Sequence, residues 1–293
     1  MTSMKEKHLS SKSSESHAQV TTLRINSGKI IWSLLLTCLA IEIALFLADA
    51  FINYGKLTEY GMIRRFFNIA REDGLATWFG VTQTWMVALT LWLIYFVVRS
   101  RPARKMQRMG WLILAVFFMY MAMDDGAGFH ERMGSAFEKM QEQRAVLAEP
   151  LKTGESALAL FPSYPWQLLF GPLFAAFGIF MLWFLRRELK QRGPMLLIGL
   201  GLLMFVVSVG MDFIEGLEAD HPWNLHSRIR SAYHLTRYDV RHFSKAIEEF
   251  LEMFGTTLIW VAFLRHFSHI AGDLHIRFAK NPSSPLVRPE VRR

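Results

Sequence analysis

Six apolar runs, each about twenty residues or longer, decide what this chain can become. They are Ile30–Ile52, Gly74–Val98, Gly110–Met133, Pro165–Leu185, Pro194–Gly216 and Phe243–Phe267. At about 1.5 Å of rise per helical residue, each can cross a hydrocarbon layer of about 30 Å. That layer holds no water to satisfy backbone N–H and C=O groups, so a spanning segment must be a helix or part of a closed barrel. Barrel strands would be shorter and would alternate apolar with polar residues, which these runs do not. The expected fold is all-α, a polytopic membrane bundle of six transmembrane helices, and a composition that is 52% hydrophobic agrees.

The formal charge of +8 does not point to nucleic acid. Most Lys and Arg sit in short segments between runs, where they set topology and meet anionic lipid headgroups. Two dense segments, Arg99 to Arg108 and Arg186 to Arg192, fall on the same side of an alternating bundle. The positive-inside rule then puts both termini in the cytosol. Residues 1–28 are polar, rich in Ser and Lys, and read as a disordered cytosolic tail rather than a signal peptide. Residues 29–270 form the six-helix domain, and 271–293 a second cytosolic tail. The single cysteine, Cys38, excludes an intramolecular disulfide and any multi-cysteine metal motif.

Against this frame the stretch Met119–Gly134 is anomalous, because an apolar run carries straight into Asp124, Asp125, His130 and Glu131. A charge in the bilayer core costs ~2.5–3.5 kcal/mol on insertion scales, so these groups need partners. The expected partners share their leaflet, the outer one. Asp49 closes the first run there, and Glu72 and Asp73 open the second. Asp212 and Glu215 close the fifth, while His242, Glu248, Glu249 and Glu252 open the sixth. At 100° per residue His242, Lys245, Glu248, Glu249 and Glu252 fall within an arc of about 120°. Asp212 and Glu215, three apart, share a face, and so do Asp124 and Glu131. Asp125 and His130 point elsewhere unless Gly126 and Gly128 loosen the helix between them.

Three motifs resemble a group of bacterial multi-pass membrane proteins that carries no assigned biochemical role. They are Phe67–Phe79 (FNIAREDGLATWF), Met123–Glu131 (MDDGAGFHE) and Glu248–Gly255 (EEFLEMFG), within roughly residues 60–265. The group's pattern would place an Asn and a Pro near Gly74 and Ala76, and a Leu at Phe254, where this chain departs from it. The resemblance implies a bacterial inner-membrane location. It marks Glu72, Asp125, His130, Glu131, Glu249 and Glu252 as the positions to watch, and it supplies no reaction.

Three chemistries suit such a cluster. In the first, Asp124, Asp125, His130, Glu131, Asp212, Glu215, His242, Glu248, Glu249 and Glu252 hold one or two divalent ions for a metal-dependent enzyme acting on a lipid-like substrate, with Glu72, Asp73 and Asp49 in a secondary role. Iron or manganese suits that carboxylate-rich set better than zinc. An acid, Asp125, is expected to fix the second ring nitrogen of His130. In the second, the acids carry protons or cations for a transporter. In the third, they pair with Lys245, Arg132, Arg241 and Arg71 and hold the bundle together.

Simpler roles are expected elsewhere. Asp73 should cap the second run, and Lys245 should pair with Glu249. Gly199, Gly201 and Gly210 should be close helix-packing positions. His221, His226 and His234 read as loop histidines, and Ile63–Arg71 as an interfacial basic segment. The loop around Glu218–Arg241 reads as a lid or headgroup-binding element. Protein partners and oligomeric state are not legible.

Reporter fusions at Tyr60, Pro150 and Arg230 should report the non-cytosolic side, and those at Arg104 and Lys190 the cytosolic side. A cytosolic signal at Pro150 would remove the shared-leaflet argument.

Overall fold

The structure, a computed structural model, describes residues 26–147 and 161–272. Residues 1–25 and 273–293, and with them most of the expected disordered N-terminal tail and of the expected cytosolic C-terminal tail, lie outside the described residues. Nine α-helices carry the described chain: α1 Ser27–Ala48, α2 Gly61–Phe67, α3 Leu75–Arg99, α4 Lys105–Ala127, α5 Phe129–Leu147, α6 Pro165–Glu188, α7 Arg192–Glu215, α8 Leu225–Tyr233 and α9 Arg237–Ala271. A π-helical turn, Asp49–Tyr54, continues α1.

Among the described residues five segments are long and apolar enough to cross a membrane: α1 with its π turn, α3, α4, α6 and α7. The chain is therefore a multi-pass membrane protein. Large apolar side chains such as Trp32, Leu36, Trp78, Leu93, Ile179 and Val206 remain exposed on the outside of the bundle, as lipid contact requires.

The sixth expected span lies inside α9, which differs in kind. At 35 residues it is the longest helix, yet it is not among the five. Lys245, Glu248, Glu249 and Glu252 load its first half, and Arg265, His266 and His269 its end. Such a helix is tolerated because protein encloses it: α7, α3 and α1 all pack against α9. Its N-terminus is set by a capping box in which Thr236 accepts from the Asp239 N–H and Asp239 accepts from the Thr236 N–H.

The third expected span also changes. It does not run on to Met133, because Gly128 adopts φ +57° and ψ +39° and ends α4 at Ala127. Only Gly takes that left-handed conformation without a Cβ penalty. The next helix, α5, starts at Phe129, directly after Gly128.

Polarity is divided along the bundle. At one end Leu91, Ile94, Trp111, Leu114, Met181, Leu185, Ile198 and Phe263 form the main apolar core. The acids sit at the other end, beside a smaller apolar group of Leu45, Ile69, Ala76, Ala246 and Met253. Between α7 and α9 the backbones touch. A Cβ added at Gly201 would lie 2.7 Å from Ile259 Cγ1 and 2.8 Å from the Gly255 carbonyl oxygen. By contrast, a Cβ at Gly199 or at Gly210 meets nothing within 4 Å, so of the three expected packing glycines only Gly201 is one.

Gly201→Ala should therefore destabilise the detergent-solubilised protein by ~1–3 kcal/mol through overpacking. Gly199→Ala and Gly210→Ala should be neutral or stabilising by up to ~1 kcal/mol, since Ala is the better helix former. Thermal melts of the three variants check this, and equal melting temperatures would refute the close contact.

Candidate functional site

The expected site residues share one end of the bundle but divide into three groups. The first lies between α3, the α4–α5 junction and α9. The Gly128 break lets His130 fold back on Asp124. Its backbone N–H donates to Asp124 Oδ1 at 2.9 Å, and its Nδ1 meets Asp124 Oδ2 at 2.7 Å. Asp124 is 1% exposed, so this pairing determines how the imidazole is aimed. The orienting acid is thus Asp124 and not the expected Asp125. The other face of the ring meets Trp166 edge-on, at 4.7 Å between centroids.

Asp125, on the adjacent helical position, faces Glu252 and Glu72. Glu131 hydrogen-bonds the carboxyl of Glu72, with Lys245 and His130 nearby. Glu249 lies beside Glu252, Lys245, Glu248 and Asp125. Lys245 Nζ reaches Glu248 at 2.7 Å and Glu249 at 3.8 Å. Its main counter-ion is therefore Glu248, three residues on, rather than Glu249 as expected. Glu252 accepts from the Ser208 hydroxyl of α7. Glu72, Asp125, His130, Glu131, Glu249 and Glu252, the positions marked by the motif resemblance, all belong to this group.

The second group ties α1 to α9. Asp49 Oδ2 meets His242 Nε2 at 2.8 Å, and both side chains are almost fully buried. Asp49 Oδ1 also accepts from Asn53 Nδ2 at 2.9 Å and from the Ile69 N–H at 3.3 Å. His242 is stacked between Tyr54 and Tyr238, each 5.5 Å away. Tyr54 in turn donates to Asp239 at 2.8 Å. The π turn places Asp49, Asn53 and Tyr54 for these contacts. Every partner is satisfied, so this is a joint between helices.

The third group joins α6, α7 and α9. Asp212 accepts from Trp166 Nε1 and Gln167 Nε2, both at 3.0 Å. Glu215 pairs with Arg241 at 2.8 Å and accepts from Tyr164 at 3.2 Å. Beside it a cavity of about 110 Å³ is lined by His226, Arg230, Arg237 and Arg241, under α8. Asp73 stands apart and outside. It is no N-cap, because Gly74 holds that position without a side-chain cap. The Arg65 and Arg71 guanidiniums take it instead and hold its carboxyl at about 2, below the usual carboxylate range.

A polar layer deeper in the bundle was not expected. Glu42, in the middle of α1, is 0% exposed. Gln83 Nε2 donates to its Oε1 at 2.9 Å and to Thr257 Oγ1 at 2.7 Å, while Thr257 donates to Glu42 Oε1 at 2.6 Å. The signal was present as a lone Glu in an apolar run, but a search confined to span ends passes over it.

These distances bear on the metal expectation. Among the described residues no three His, Cys, Asp or Glu side chains converge in the way a metal ion requires. A dinuclear centre needs its ions about 3.5–4 Å apart and its ligands around them. Here Glu215 is drawn to Arg241, His242 to Asp49 and Glu252 to Ser208. These three expected ligands are therefore committed to other partners. The first group differs from the other two in its charge balance. Its carboxylates outnumber its one Lys, and among the described residues a buried oxygen of Glu248 lacks a hydrogen-bond partner.

Glu131, in α5 beyond the end of α4, shows the sign of the resulting pH dependence. Burial, and then the hydrogen bond that its protonated form donates to Glu72, push its carboxyl from about 4.5 up to about 7. The folded chain holds this proton more tightly than the unfolded chain. The stabilisation is whole below about 4.5 and is lost as the pH rises through about 7. The melting temperature should fall between about pH 5 and about pH 8, and Glu131→Gln should flatten that slope. A parent melting temperature that rises over the same interval would contradict the shared-proton geometry.

Residues 35–267 match a family model described as a domain of unknown function (DUF8692). No curated protein and no solved structure matches the chain.

Proposed function

We propose that this chain, which belongs to the DUF8692 family, is a proton- or cation-coupled transporter of the bacterial inner membrane, with its acidic end on the non-cytosolic side. The observation that carries the reading is the excess of carboxylates in the first group. Glu72, Asp125, Glu131, Glu248, Glu249 and Glu252 come together from the start of α3, α4, α5 and α9, with Lys245 as the basic side chain bonded among them. In a poorly solvated place, like charges without counter-ions are costly, so the group holds bound protons or small cations. Intramembrane acids of this kind line ion and proton paths. A purely structural network would match its charges pair by pair, as Asp49–His242 and Glu215–Arg241 do.

Asp125 and Glu249 are the residues through which protons enter and leave. Asp125 is exposed and Glu249 half-buried, so the pair joins solvent to the interior. His130, aimed by Asp124, stands within their field and is suited to relay a proton. Lys245 lies closer to Glu248, at 2.7 Å, than to Glu249, at 3.8 Å.

The test is proteoliposomes holding the purified protein, an imposed pH or sodium gradient, and a pH- or sodium-sensitive dye inside. Ion movement should exceed that of empty vesicles. Glu249→Gln and Glu252→Gln should each reduce it about tenfold or more, as loss of an acid–base group does. Asp73→Asn, outside the group, should leave it unchanged. Rates equal to empty vesicles in every gradient would return the acids to a structural role.

A further inference from the structure

The Glu42 layer does not depend on the acidic end and belongs to no function derived above. It lies in the middle of α1, where α3 and α9 meet it, and Cys38 sits one turn earlier against Gln83 and Thr257. Its bonding is incomplete in a specific way. Glu42 Oε1 accepts twice, from Gln83 Nε2 and from the Thr257 hydroxyl. With its second N–H, Gln83 Nε2 supplies Thr257. Both amide hydrogens and the hydroxyl hydrogen are then spent. Two oxygens remain, Glu42 Oε2 and Gln83 Oε1, both buried and both without a donor. The side chains are 0% and 2% exposed, and among the described residues neither forms an ion pair with a Lys or Arg.

We propose that Glu42 is a protonated carboxylic acid, a proton-binding site inside the first span. A carboxylate there would be an isolated charge among apolar side chains, with one oxygen unsolvated, the most expensive state available to it. One proton on Oε2 removes the charge and supplies the missing donor. The acid and the amide, already joined through N–H···Oε1, gain an O–H···O bond to Gln83 Oε1, so one hydrogen satisfies both orphan oxygens. The alternative occupant, a dehydrated monovalent cation, would use the same two oxygens and the Thr257 hydroxyl.

Infrared spectroscopy of the reconstituted protein separates these states. The difference between parent and Glu42→Gln should contain the C=O band of a protonated carboxyl and lack carboxylate bands. Gln reproduces the neutral acid's donor and acceptor, so this variant should melt with the parent. Carboxylate bands in the difference would overturn the proposal.

A second measurement needs no variant. Dicyclohexylcarbodiimide attacks a protonated carboxyl in an apolar setting. The acid proton moves to a carbodiimide nitrogen, the freed oxygen bonds the central carbon, and migration to nitrogen leaves a stable N-acylurea. Peptide mapping of the treated parent should find this adduct on Glu42, formed equally in sodium and in potassium medium. An unmodified Glu42 would overturn the proposal, and so would protection by sodium alone, which would identify the occupant as a cation.

Discussion

Everything in this bundle follows from one constraint: α9 carries three glutamates and a lysine on consecutive turns and cannot face lipid. Lipid offers no solvation for such groups, so the helix must be enclosed by protein. The enclosure is built from α7, α3 and α1. Its tightest contact is glycine against glycine, Gly201 on α7 and Gly255 on α9, where any side chain would hold the backbones apart. Small residues at helix contacts are the usual solution in membranes, because packing rather than hydrophobic exclusion draws helices together there.

The two ends of the bundle divide the work. The apolar core around Trp111 and Phe263 supplies close packing without polar groups to satisfy. The acidic end supplies buried pairs, and these do different things. Asp49–His242 is surrounded by donors and by two tyrosine rings, so it fixes how α1 meets α9. A pair of that kind contributes little net stability, yet removing one partner strands the other. The first acid group is the opposite case. Its charges are unequal in number, and among the described residues Glu248 keeps a buried oxygen without a partner.

The break at Gly128 links fold to site. A helix continued through this position would keep Asp124 and His130, six residues apart, on different faces. Ending α4 in a left-handed turn brings the ring back onto Asp124 and leaves Asp125 free to face α9. Two neighbouring aspartates thereby take different places, Asp124 against His130 and Asp125 toward α9. The local cause is a single residue without a Cβ.

What the sequence by itself determined is the part that depends on local chemistry and on solvent. Apolar length settled an all-α membrane protein, since backbone groups in lipid must bond within their own helix. The gathering of acids at one end was legible from their place along each run, and the break near Gly126–Gly128 from glycine's freedom. The number of lipid-grade spans was not, because α9 is enclosed and need not be apolar. Pairing was decided by the tertiary structure alone. Asp124 rather than Asp125 holds His130, Lys245 turns to Glu248, and Asp73 goes to two arginines instead of a helix cap. Glu42 finds Gln83 and Thr257, far along the chain. The ten expected ligands divide among three groups rather than closing on an ion. Helical spacing fixes which face a side chain occupies, but hydrogen bonds are made over about 3 Å. At that scale the outcome rests on how whole helices cross, which no single helix encodes.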